Sequence, residues 1–109
     1  MATLAVQSII RAGLVQTYAA ATSGGDEFVN TGAEYVEIIN GSAATIVVTI
    51  DTPNTVDGLA IADRVISILA GETRKIGPFP TATYNDSAAK VQITYDGVTT
   101  LTIGVFALS

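Results

Sequence analysis

The run Lys90–Asp96 (KVQITYD) alternates polar and apolar residues without a break. Side chains of a strand point alternately to opposite faces, so this pattern describes a strand with one buried face. Val91, Ile93 and Tyr95 take the buried side; Lys90, Gln92, Thr94 and Asp96 take the other. Asp96-Gly97 follows as a hairpin signal, and Thr99–Leu108 (TTLTIGVFAL) answers with Leu101, Ile103, Val105 and Ala107 on one face. A helix does not tolerate that period, so the chain is expected to be built from sheet.

The same pattern recurs upstream. Glu34–Asn40 (EYVEIIN) ends at Asn40-Gly41, and Thr45–Asp51 (TIVVTID) places Ile46, Val48 and Ile50 together; the two are expected to form a hairpin. Arg64–Leu69 (RVISIL) stops at Ala70-Gly71-Glu72, and Thr73–Ile76 (TRKI) stops at Gly77-Pro78-Phe79-Pro80. Proline donates no ladder hydrogen bond, so the sheet ends there, and Phe79 is expected to plug one end of the core. Short strands at roughly ten-residue spacing predict an all-β fold, a small antiparallel sandwich or barrel of about 6–8 strands. A chain of 109 residues is expected to be one domain. Residues 34–109 would form its body, and residues 1–33 an N-terminal arm or first strand. In that segment Ile9, Ile10, Leu14, Tyr18 and Ala21 fit a helical stripe, while Val6, Ile10, Leu14 and Tyr18 fit an extended run. The all-β remainder favours the extended reading.

Composition narrows the chemistry. There is no histidine, cysteine or tryptophan. A serine–histidine triad, a thiol nucleophile, a cysteine zinc site and a disulfide framework are thereby excluded. No phosphate-binding or dinucleotide-binding glycine motif is present. The chain is not expected to be an enzyme or to hold a cofactor. Net charge is −5, and the five basic residues, Arg11, Arg64, Arg74, Lys75 and Lys90, form no stripe, so nucleic acid is not an expected partner. No apolar run approaches the roughly 18 residues needed to span a bilayer, the acidic balance disfavours anionic membranes, and no signal peptide is expected.

The acidic residues ask the sharper question. Asp51, Asp57 and Asp63 fall six apart in DTPNTVDGLAIADR. A helix-loop-helix calcium motif aligned on Asp57-Gly58 fails, because Arg64 stands where a bidentate glutamate is needed. A looser calcium site through Asp51 and Asp57 competes with a plain reading as two turns in a long connection between strands, one that crosses between sheets. Asp26-Glu27 reads as a solvated loop, with a metal pair as the alternative. Arg74-Lys75 either meets an acidic partner or blunts an edge strand. Tyr18, Tyr35, Tyr84 and Tyr95 are too dispersed to read as a stacking platform.

Charged residues are only 14% of the chain, against about a quarter in ordinary domains. A weakly charged surface suits a protein packed against something else. The segments Ser8–Tyr18 (SIIRAGLVQTY), Gly24-Gly25-Asp26, Asn40-Gly41-Ser42, Thr55–Arg64 (TVDGLAIADR), Ala70–Pro80 (AGETRKIGPFP) and Tyr84-Asn85-Asp86 together resemble the small head decoration, or cement, proteins of tailed bacteriophages. The resemblance covers nearly the whole chain and carries no catalytic signature. It implies a β-sandwich or barrel, made in the host bacterial cytoplasm, that sits on the outside of the virion capsid. The implied partner is the major capsid protein, bridged and stabilised by a homotrimer at local threefold positions. The side chains expected to meet partners are Leu4, Val6, Ile9, Ile10, Leu14 and Tyr18 of the N-terminal segment, with Arg74 and Lys75. The competing expectations are another phage structural role, in a tail tube or tail-associated sandwich, and a carbohydrate-binding module with calcium near Asp51 and Asp57. A small hydrolase is the most distant.

Overall fold

A computed structural model describes residues 2–108. It is an all-β sandwich of two five-stranded sheets, with eight strands of four or more residues among the described ones. The molecule measures 40 × 36 × 20 Å, a thickness that fits two sheets about 10 Å apart with their outer side chains.

The first sheet runs β1 (Ala2–Thr3), β4 (Asp26–Val29), β11 (Lys90–Tyr95), β6 (Ile46–Ile50), β9 (Arg64–Ile68). The second runs β10 (Thr73–Ile76), β5 (Glu34–Asn40), β12 (Leu101–Leu108), β2 (Val6–Ile9), and β3 (Ala19–Ala20) also pairs β12. Pairing is antiparallel except at β1–β4 and β2–β12. Phe28, Ile46, Val48, Ile50, Ile68, Val91 and Ile93 of the first sheet meet Val36, Ile38, Leu101, Ile103 and Val105 of the second in one buried core. The period-two pattern therefore reads the inward faces of β6, β11 and β12 correctly. Phe79 closes one end as expected: it is buried, 5.7 Å from the Phe28 ring and 5.4 Å from the Tyr84 ring. Tyr84 arrives on a single helical turn, α1 (Thr81–Tyr84).

Both expected hairpins are corrected. β5 and β6 lie in opposite sheets, as do β11 and β12. A two-residue hairpin turn needs left-handed backbone. Gly41 and Gly97 do not adopt it, and the chain instead arches across the core. At the first arch the buried Asn40 amide donates to the carbonyls of Ala44 (2.9 Å), Ile68 (3.0 Å) and Leu69 (3.2 Å). Its Oδ1 accepts from the Ser42 amide and hydroxyl. At the second, Asp96 Oδ1 accepts from the Val47 amide, 2.8 Å.

The connection 51–63 is also corrected, because it does not cross between sheets. It leaves β6 and returns as β9, its neighbour in the same sheet. Between them stands a small hairpin, β7 (Thr55–Val56) and β8 (Leu59–Ala60). Asp57 and Gly58 have φ of 53° and 76°, the paired left-handed residues of a type I′ turn.

Residues 2–33 supply strands to both sheets, β1 and β4 to the first, β2 and β3 to the second. Asp26-Glu27 is not a solvated loop: it opens β4, with Asp26 wholly buried. Alternation at Asp26, Glu27, Phe28 and Val29 carries the Asp26 carboxylate inward with Phe28.

Candidate functional site

The outer face of the second sheet holds the most organised surface feature. Strand register sets Tyr35 beside Phe106 and Glu37 beside both Gly104 and Lys75. The Phe106 ring folds back over Gly104, where an added Cβ would stand 2.9 Å from it and 3.0 Å from the Thr17 carbonyl. Tyr35 and Tyr18 flank that ring, with centroids 5.6 and 5.9 Å away. The chain between β2 and β3 is pinned across this face by Gln7. Its amide donates to the Thr17 carbonyl (2.8 Å) and accepts from the Thr17 amide (2.9 Å).

The result is a hollow of about 340 Å³ between this loop and the sheet. Tyr18, Tyr35 and Phe106 supply its aromatic lining, and Gln16, Glu37 and Lys75 its polar groups. Ile9 and Leu14 complete the apolar side. Lys75 Nζ lies 3.7 Å from Glu37 Oε2, so the one acid and the one base offset each other. Burial first, and then the neighbouring Glu37 carboxylate, push the Tyr18 phenol above its ordinary value, keeping it protonated as a donor.

Four of the eight residues expected at a partner surface, Ile9, Leu14, Tyr18 and Lys75, thus converge on this hollow. Leu4 and Val6 turn inward against the core. Ile10 is exposed. Arg74 is on β10, an edge strand, and its Nε donates to Glu72 Oε1 at 2.7 Å. Tyr35, Glu37, Phe106 and Gln16 escaped the sequence reading. A signal existed for two of them: Tyr35 and Phe106 are large aromatics on the outward parity of their strands, where a solvated face would carry polar residues.

The acidic stretch resolves differently. Asp51 stands at the base of the β7–β8 hairpin and Asp57 at its tip. Asp63 Oδ1 accepts from the Thr52 amide (3.0 Å) and hydroxyl (3.1 Å), tying the base of the hairpin shut. The Thr52 amide chiefly holds the Asp63 carboxyl below its ordinary value. Burial first, and then Asp63, raise that of Asp51. Among the described residues no three acidic side chains converge to hold a metal. On the same sheet Glu27 sits with Lys90 (2.9 Å), Gln92 (3.1 Å) and Thr3 (2.8 Å), and the Lys90 contact above all holds its carboxyl at about 2.

Every residue from Thr55 to Ala60 is exposed, and Val56 and Leu59 flank the turn at 59% and 70% exposure. A hairpin of this size does not hold itself together in water. It projects from the body with two bare apolar side chains at its end. No helix among the described residues is long and apolar enough to cross a membrane. Compared with protein-family models, with curated proteins and with solved structures, the chain matches none.

Proposed function

We propose that the protein is a structural virion component that binds the outside of a phage capsid and bridges major capsid subunits as a homotrimer. The observation that carries this reading is the projecting β7–β8 hairpin with Val56 and Leu59 bare at its tip. A rigid sandwich with a protruding apolar grip is what a bridging protein requires. Val56 and Leu59 are cross-strand partners, so their exposed side chains adjoin, and adjoining exposed apolar groups favour a contact site. The low charge of the chain, 14%, lets such contacts form without displacing many hydrated ions. Symmetric attachment multiplies weak individual contacts. The resemblance to cement proteins points the same way.

The test is co-sedimentation of the purified protein with heads of the tailed phage that encodes it. Saturable binding is expected, and the decorated heads should resist heating better than bare ones. Leu59→Asp should lower binding at least tenfold while the melting temperature of the free protein holds. Failure of the unaltered protein to bind heads would sink the reading.

A further inference from the structure

We infer that the hollow bounded by Tyr18, Tyr35 and Phe106 is a binding site for a neutral saccharide residue. Its ligand class follows from what the lining offers. About 340 Å³ lies at the lower end of small-molecule sites, roughly 300–1,000 Å³, which suits one sugar ring rather than a long chain.

The charge balance comes next. Glu37 and Lys75 are the only charged side chains of the lining, and they stand 3.7 Å apart. An anionic ligand such as a nucleotide would meet Glu37 unopposed by any second cation. A cationic ligand would meet Lys75. A wholly apolar ligand would strip water from the largely buried Glu37 carboxylate without replacing its hydrogen bonds. A neutral ligand rich in hydroxyls avoids all three. The Glu37 carboxylate accepts, the Lys75 ammonium donates, and the Gln16 amide and the two tyrosine hydroxyls do both. Each ring hydroxyl of a sugar is likewise donor and acceptor.

The aromatic lining supplies the other half. One face of a pyranose is made of C–H bonds, apolar enough to rest on an aromatic ring while its edge hydroxyls reach polar groups. Side chains with an apolar body and a polar tip fit such ligands, and Tyr18 and Tyr35 have that character. Phe106 is buried behind them and fixes their spacing through its two ring contacts. Glu37 is preorganised too: its side chain is 15% exposed and its strand is paired on both sides. The inference does not depend on capsid attachment, because it concerns the free protein.

The experiment is an amide NMR titration of the full chain with the methyl glycosides of glucose, galactose and mannose. At least one should give saturable shifts at Gln16, Glu37, Lys75 and Phe106, with a Kd on the order of 1–10 mM, as expected of a single shallow sugar site. Glu37→Gln and, separately, Lys75→Met should each weaken that glycoside at least tenfold with the melting temperature retained. Either variant suffices if the other fails to fold. No saturable shift with any of the three glycosides overturns the inference. So do shifts that map elsewhere on the molecule, and tighter binding of glucuronic acid than of glucose.

Discussion

Asn40 is the residue that holds the first arch. It is fully buried, and its amide spans the end of one arch and the carbonyls that close β9. Replacing it with leucine, close in size, would take the side-chain donor from the buried Ile68 carbonyl and the acceptor from the Ser42 amide, while the Ala44 carbonyl would keep the Ser42 hydroxyl. Unmet buried polar groups cost about 1–3 kcal/mol each. Asn40→Leu is therefore expected to lower stability by roughly 2–5 kcal/mol in a urea melt, more than a surface change allows. Tyr95 and Asp26 form another polar contact of the interior. The phenol donates to Asp26 Oδ2 at 2.7 Å, and burial first, with Asp26 behind it, raises the Tyr95 value. Tyr95→Phe should cost about 1–3 kcal/mol, and Asp26→Leu should behave better than Asp26→Ala because it fills the space. Glu27 gives a pH signature. Its folded value of about 2 lies below the 4.5 of the free side chain. Its stabilising contribution is present in full above about 4.5 and drains away as pH falls towards 2. The melting temperatures of Glu27→Gln and the unaltered protein should differ at pH 7, draw together below about pH 4.5 and converge only near pH 2.

At the scale of elements, the β7–β8 hairpin is separable from the sandwich. Gly58 holds φ of 76° at its turn, and a β-branched residue there is strained. Gly58→Val is expected to raise amide exchange from Thr55 to Ala60 while exchange in β5 and β12 stays unchanged. Head binding should fall with it. The hairpin also shows what the chain discloses locally. Alternation in KVQITYD and TIVVTID announced the strands and their buried faces correctly, because side-chain parity is a local property. Partner choice is not. Asn40-Gly41 and Asp96-Gly97 look like hairpin turns and make arches, whereas Val56-Asp57-Gly58, read only as a turn, is the tight hairpin. What separates them is whether a distant strand, β10 or β12 for β5, occupies the edge that a hairpin neighbour would have taken. Asp26 escaped for a related reason: one donor to its buried Oδ2 is a tyrosine hydroxyl 69 positions away, beside the local Thr22 amide. The hollow combines both effects, since its three aromatics come from a loop and two non-consecutive strands.

For the whole molecule, the first quantity to weigh is mass in solution. Light scattering on the full chain is expected to give three times the 11.2 kDa of one copy. Removal of residues 1–20 should unfold the protein rather than leave a folded monomer, since those residues include β1, β2 and β3. Far-UV circular dichroism on the shortened chain distinguishes the two outcomes.

The arches have a consequence for the order of events during synthesis. β12 is a central strand of its sheet, flanked by β5 and β2, and β11 is a central strand of the other, flanked by β4 and β6. Both centres are contributed late in the chain. A ribosome that has released everything up to Ala89 has produced two sets of edge pieces with nothing between them. Pairings this distant in sequence form slowly. The pairs β6–β9 and β5–β10 lie wholly upstream, but neither sheet is expected to close until β11 and β12 have emerged.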